Sequence, residues 1–540
     1  MHLYRPFRRF ASLSPGQALI TSAVLAVLAV PTVAQLQFEE LPGHELPVDN
    51  QHSNAVAMGD VDGDGDLDMV IGNVGQNRLY LNNGFGSFAD VTATQMPVDV
   101  DLTRAVTLAD VDGDGDLDMV VGNGGDHYVN FSAAQNRLYI NDGVGSFSDA
   151  TALQMPVAIG DTTSVVLGDV DGDGDLDLVC GNGVFAVPLW CSTYGLQNWL
   201  YLNDGTGSFS DATATQMAID ADPTEAVVLG DVDGDGDLDL AVGNSFYLIP
   251  QWAHCLGGYP VKVPDRLYLN DGAGAFTAAS FPLDTDVTYS VAFADIEGDG
   301  DLDLVVGSTW AGDNRLYVNS GSGAFTNVTA TQMPAASRGC CVLGDVDGDG
   351  DLDMILGGGG QNQLSLNDGN GTFVDVTGIR MQPYQPNPEN TLAIAVGDVD
   401  GDGDLDAVFG NRGGATSGQN RLKLNLQRQL HAPTSPQIGQ VYSLDAYMRY
   451  GTSTVANFAV TYLSTAPASI ASLFGTIGLD LAAAVPFPTT IVPQPVGVGS
   501  VGFTVPNAPS LVGQPIYCQS MLIAYPFDLR LSNVVADVIQ

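Results

Sequence analysis

Basic residues are scarce in this chain. Its 17 Lys and Arg stand against 63 Asp and Glu, for a formal net charge of −46. Such a surface excludes nucleic acid as a partner, because phosphate binding rests on Lys and Arg, and it argues against anionic lipid. Histidine is also sparse: His2, His44, His52, His127, His254 and His431 are scattered along the sequence. No nucleophile elbow, HExxH pair or phosphate-cradling Gly loop accompanies them. The protein is therefore expected not to be an enzyme. Long apolar runs are missing as well, with one exception at 18–30, which follows Arg5, Arg8 and Arg9 and precedes Thr32, Val33 and Ala34. That stretch is short for a membrane span, and 1–34 reads as a signal peptide cut near Ala34/Gln35, with an uncleaved anchor as the alternative. The mature chain is expected to be secreted or at the cell surface, monomeric, and without a transmembrane anchor.

What is abundant is one acidic nonapeptide. DVDGDGDLD starts at Asp60, Asp110, Asp169, Asp231, Asp345 and Asp398, and DIEGDGDLD starts at Asp295. Spacings of 50, 59, 62, 64, 50 and 53 residues mark a repeat architecture. Acids stand at loop positions 1, 3, 5, 7 and 9, and Gly at 4 and 6. Calcium takes six to eight oxygens, and converging carboxylates need the sharp turn that Gly permits. In the first loop the expected ligands are Asp60, Asp62, Asp64 and Asp68 by side chain, with Asp66 by its carbonyl. The same roles fall to Asp110, Asp112, Asp114, Asp118 and Asp116, to Asp169, Asp171, Asp173, Asp177 and Asp175, and to Asp231, Asp233, Asp235, Asp239 and Asp237. They continue in Asp295, Glu297, Asp299, Asp303 and Asp301, in Asp345, Asp347, Asp349, Asp353 and Asp351, and in Asp398, Asp400, Asp402, Asp406 and Asp404. About seven Ca2+ are expected. Mg2+ fits less well because it keeps its waters.

An EF-hand would need a Glu at position 12 and flanking helices. Position 12 is instead Ile71, Val121, Cys180, Val242, Val306, Leu356 or Phe409, and the flanks are short runs of Val, Leu, Ala and Gly. Those are strands. Directly stacked calcium nonapeptides are also excluded, because about 50 residues separate these loops.

Each repeat holds four strand candidates: the run before the loop (226–230), the run after it (239–243), "NRLYLN" (77–82, again from Asn136, Asn314 and Asn420), and "GSFSDAT" (145–151, 207–213). Asn-Asp-Gly and Met-Pro turns separate them. Four short strands repeated radially make a propeller blade. The fold class is all-β, a seven-bladed β-propeller with a calcium loop between strands 1 and 2 of each blade. The fourth-strand pattern is missing after Asn425 and appears instead at 36–47, so the N-terminal segment is expected to complete the blade of 392–425 and remove an open edge.

These repeats resemble the FG-GAP/VCBS class, whose best-known members are the seven-bladed propellers of integrin alpha subunits. The resemblance covers roughly 36–428. The literal FG and GAP strings are replaced by "GSF" and "VGN". It implies a calcium-binding extracellular propeller, without implying integrin function. The expected organisation is a signal peptide (1–34), the propeller (35–428), a linker (429–436) and a C-terminal β-sandwich-like domain (437–540). The last has strand candidates at 441–447, 455–463, 497–505 and 516–524, and it resembles C-terminal modules of secreted bacterial repeat proteins.

The 2–3 and 4–1 connections share the face opposite the calcium loops, and insertions concentrate there. Blade 3 carries Trp190 and Tyr194, blade 4 carries Trp252 and Tyr259, blade 2 carries His127 and Tyr128, and blade 5 carries Trp310. Large rigid aromatics suit a binding face. The candidate partner is an extracellular protein, with carbohydrate as an alternative. A calcium-dependent polysaccharide lyase using His127 or His254 with Tyr128 or Tyr259 rests on fold analogy alone. The alternative for the insertions is a cap that packs without ligand. Asp99, Asp101, Asp220, Asp222, Asp284 and Asp286 on that face read equally well as turn residues. Cys191 and Cys255 occupy equivalent insertions and are the expected disulfide, whereas Cys180 and Cys341 read as buried small hydrophobes.

Overall fold

The apolar run after each acidic loop becomes a strand buried on both sides. Asp68–Asn73, Asp118–Asn123, Asp177–Asn182, Asp239–Asn244 and Asp406–Asn411 are buried at every residue. The computed structural model describes residues 37–425 apart from 41–45, 50, 85, 125–133, 188–191, 250–258, 283–285, 310–312, 336–337, 382–388, 402–403 and 414–418, with backbone alone at 39, 185–187, 192–194, 247–249, 259–260 and 389, and the backbone of the strands within 430–538. Residues 1–34, read above as a signal peptide, lie outside the described residues. Among the described residues no helix is long and apolar enough to cross a membrane.

Leu36–Arg428 forms one compact unit. Among the described residues, seven of its antiparallel sheets are blades, each with the sequential strand order 1-2-3-4. In blade 1 these are Ser53–Gly59, Asp68–Asn73, Arg78–Leu81 and Ala89–Asp90. Blade 7 is built from Glu389–Gly397, Asp406–Asn411 and Arg421–Asn425, and its outer strand is Phe38–Glu39. Phe38 pairs with Asn425 and Glu39 with Leu424. The ring is thus closed by its N-terminal segment, over two residues.

The core lies between blades. Among the described residues, seven hydrophobic clusters form, each drawn from two neighbours, and the one across the closure joins Met69, Ile71 and Tyr80 to Val399, Val408, Leu422 and Leu424. First strands pack side by side around the ring, including the first strand of blade 1 against that of blade 7. The Gly near the end of the second strand, in "IGN" of blade 1 and "FGN" of blade 7, makes this approach possible. A Cβ on Gly72 would lie 2.8 Å from Thr103 Cγ2, and one on Gly410 would lie 3.0 Å from Val56 Cγ2, so no side chain fits there.

The fourth strands are shorter than the sequence pattern suggests. Phe147–Asp149 and Phe209–Asp211 end early, and Thr151–Gln154 and Thr213–Gln216 form single helical turns. Asp149 Oδ1 accepts from Thr151 N (2.9 Å), and Thr151 Oγ1 accepts from Leu138 N (3.0 Å). This side-chain turn outcompetes continued strand pairing.

Cys180 is fully buried, Cys340 is buried, and Cys341 is half-buried. Cys191 and Cys255 lie outside the described residues. The second unit is all strand over its described backbone. Val441–Tyr447 pairs with Val498–Thr504, Asn457–Ser464 pairs with Pro515–Ala524, and the latter pairs with Asp528–Val538.

Candidate metal loops and the opposite face

Each acidic loop is shaped by its own carboxylates. Asp60 Oδ1 accepts from Gly63 N (2.8 Å) and Asp64 N (3.1 Å), and Oδ2 accepts from Gly65 N (2.9 Å). Gly63 and Gly65 hold φ of 75° and 94°, a region costly for residues with a Cβ. Asp68 is 1% exposed. Its Oδ2 accepts from Val61 N (3.0 Å) and its Oδ1 from Asn82 N (2.8 Å).

The result is a convergence of positions 1, 3 and 9. Asp60, Asp62 and Asp68 place ligand oxygens within 4.8 Å of one another, as do Asp110, Asp112 and Asp118, and also Asp169, Asp171 and Asp177. Asp231, Asp233 and Asp239 do the same, and so do Asp345, Asp347 and Asp353. Position 5 is not part of these trios: Asp64 Oδ1 accepts from Asp66 N (3.0 Å). The position-7 carboxylate of Asp66 faces the turn between the third and fourth strands, where a Cβ on Gly84 would lie 2.6 Å from it. Asp402 lies outside the described residues.

The trios fit a divalent cation. The buried Oδ1 of Asp233 and Oε2 of Glu297, both at position 3, have no hydrogen-bond donor. A buried acceptor without a partner is costly, and a hard cation answers it. Carboxylates so placed keep their protons to higher pH than exposed ones do. Burial raises Asp68, Asp118, Asp177 and Asp239 to about 6 and Asp353 to about 7, against the pull of two backbone N–H groups on each. Glu297 rises to about 8, through burial first and its contact with Asp303 next.

A pH dependence follows. Without metal, the folded chain binds more protons at these acids than the unfolded chain does, from about pH 4 to pH 7. Stability therefore falls as pH rises through that window and is regained on acidification. In chelator, melting at pH 5 is expected above melting at pH 7.5. In calcium the order should reverse, because protons compete with the ion. A melting point in chelator that drops on acidification would contradict the trio geometry.

One side chain links neighbouring loops, and it was read from sequence only as a turn residue. The Asn that ends each third strand donates through Nδ2 to the position-2 carbonyl of the preceding blade's loop: Asn82 to Val399, Asn141 to Val61, Asn203 to Val111, Asn270 to Val170, Asn319 to Val232, Asn367 to Ile296 and Asn425 to Val346. Its backbone N–H donates to the position-9 Asp of its own loop, in turn Asp68, Asp118, Asp177, Asp239, Asp303, Asp353 and Asp406. That Asp also accepts from the position-2 N–H of the same loop. The bonds, all 2.7–3.1 Å, form a closed belt through seven loops. The detectable signal was the recurrence of Asn at one position in all seven blades.

On the opposite face the acids of the 4–1 connections are largely tied to the third strands. Arg137 donates to Asp101 (2.6 and 2.8 Å) and Tyr139 to Asp99 (2.8 Å). Arg266 and Tyr268 pair with Asp222 and Asp220, and Arg315 with Asp286. Asp284 lies outside the described residues. Blade 3 has Trp199 where blades 1, 2, 4, 5 and 7 have Arg and blade 6 has Gln363. It stacks on Tyr201 with ring centroids 6.0 Å apart and belongs to the packing between blades 2 and 3.

The blade 3 and blade 4 insertions are hairpins. Val184–Val187 pairs with Ser192–Gly195, and Phe246–Ile249 with Tyr259–Lys262. Ser192–Gly195 lies beside Phe246–Ile249. Tyr194 and Tyr259 therefore fall on adjacent hairpins, placed by backbone alone. His127, Tyr128, Trp190, Trp252, His254 and Trp310 lie outside the described residues.

Six stretches of the chain, 42–121, 123–180, 189–242, 263–306, 298–356 and 345–409, match the family model of the FG-GAP-like repeat. No curated protein matches the chain. Among solved structures, the chain is similar to an Agrocybe aegerita lectin described for its specific recognition of non-reducing terminal N-acetylglucosamine. The identity is 22%, the match covers 60% of this chain and 79% of that one, and the TM-score is 0.37.

Proposed function

Because this chain belongs to the FG-GAP-like repeat family, we propose that it is a secreted calcium-binding β-propeller that acts as an extracellular adhesion or protein-interaction module. The observation that carries the reading is the convergence of carboxylates at positions 1, 3 and 9, with the position-9 group buried and hydrogen-bonded. Calcium suits the all-oxygen, acid-rich loop better than magnesium, which favours few protein ligands. The ions would fix the loop face and leave the opposite face to meet a partner.

Glycan binding is the second reading. It is favoured by the adjacency of two aromatic-bearing hairpins on the opposite face, since aromatic planes stack on sugars as they do on other ligands. A glycan array and a panel of extracellular proteins, both probed with calcium-loaded protein, separate the two. Replacing Trp190 and Trp252 together by Ala is expected to lower binding at least about tenfold, as hot-spot aromatics do, while leaving calcium content and melting nearly unchanged. Lowered melting with no loss of binding would make the insertions a packing cap.

A further inference from the structure

We infer that the seven loops take up their ions cooperatively, as one coupled belt closed by Asn side chains. The inference rests on the calcium reading above and adds how the sites communicate.

Two independent contacts join the Asp60 loop to the next. The first is the belt. Asp68 holds Val61 N–H, the Val61 carbonyl accepts from Asn141 Nδ2, and Asn141 N–H donates to Asp118 of the following loop. An ion that fixes Asp68 therefore helps to fix Val61, the residue whose carbonyl receives Asn141, and Asn141 is held against the position-9 ligand of its own loop. The second contact is steric. The turn after the third strand of blade 2 presses on both loops: a Cβ on Gly145 would lie 3.3 Å from Asp62 Cβ, and one on Gly143 would lie 2.3 Å from Asp116 Oδ2. Gln95, on the helical turn of blade 1, reaches Val144 O in that same turn (3.5 Å).

The Asn belt repeats without a break, and it crosses the one place where the chain does not run from blade to blade. At the closure Asn82 of blade 1 reaches Val399 of the blade 7 loop (2.8 Å). Each loop must be ordered before its ligands converge, and an ordered neighbour has already met part of that ordering. Binding at one loop then favours binding at the next, which is positive cooperativity through shared ordering.

The test is a calcium titration of the full mature chain by equilibrium dialysis, with calorimetry in parallel. The wild type is expected to saturate at about seven ions with a Hill coefficient of about 2 or more, within the limit set by the number of sites. Asn141→Ala combined with Asn203→Ala cuts the belt on both sides of the Asp110 loop and keeps the backbone N–H bonds to Asp118 and Asp177. About one ion should then bind apart from the rest, at least about fivefold more weakly. Asn136→Ala alters the opposite end of the same strand, where Asn136 Oδ1 accepts from Asn123 N, and should leave the Hill coefficient unchanged. Wild-type uptake of several ions with a Hill coefficient of 1 overturns the coupling and leaves the calcium reading standing. No uptake at all overturns both. The wild-type curve decides even if a variant does not fold.

Discussion

In excess chelator the protein should melt lower than in calcium by on the order of 10 °C. Ions bound only to the native state add RT ln(1 + [L]/Kd) per site. Affinities expected of extracellular modules are weak, about 10⁻⁴ to 10⁻³ M. At free calcium of about ten times Kd, each site contributes about 1.4 kcal/mol and seven sites about 10 kcal/mol. That sum rivals the whole stability of an ordinary domain, about 5–15 kcal/mol. The effect is large because the ions answer a specific strain, with acids crowded into loops whose position-9 carboxylates are buried. Calorimetric melting with and without chelator checks it. Identical melting points would mean that the acids are accommodated without a cation.

Loss of the closing strand should have an effect of similar size. Phe38 is fully buried among Val346, Ile355, Leu364, Met381, Ala407 and Phe409. Gln37 N–H donates to Arg380 O, and Gln37 is bonded to Val346 O as well. Phe38→Ala is expected to cost about 3–5 kcal/mol, the usual range for a buried Phe. Deleting 36–41 removes that packing and also bares the edge of Arg421–Asn425, an invitation to pair with another chain. The truncated protein should melt earlier and elute partly as aggregate. A truncation that melts and elutes like the full mature chain would show that the ring closes elsewhere.

Much of this fold was legible because the repeat states it seven times. Four strands per unit, the loop between the first two, and the displaced outer strand of blade 7 all follow from alternation, turn residues and one missing pattern. What was not legible depends on contacts between units. At position 5, Asp64 Oδ1 also accepts from Asp66 N between two positive-φ glycines, a contact that the spacing of the acids does not announce. The Asn after "LYL" looks like an ordinary turn residue, since nothing local reveals that its Nδ2 reaches a neighbouring blade. Thr151 reads as the end of a strand, but Asp149 and Thr151 together form a helical turn. Among the acids of the opposite face, Asp101 and Asp222 could only be named turn residues, because their partners Arg137 and Arg266 stand 36 and 44 residues away. In the second unit, Asp528–Val538 pairs with Pro515–Ala524, although no strand was expected beyond 516–524.

The most direct test of the account is the calcium content of the mature chain at equilibrium with about 10 mM free calcium, about ten times the weakest expected Kd, measured by elemental analysis inside and outside a dialysis membrane against protein concentration. The account predicts about seven calcium ions per chain, all lost to chelator. A chain that retains none at that concentration, while still folded, would contradict it.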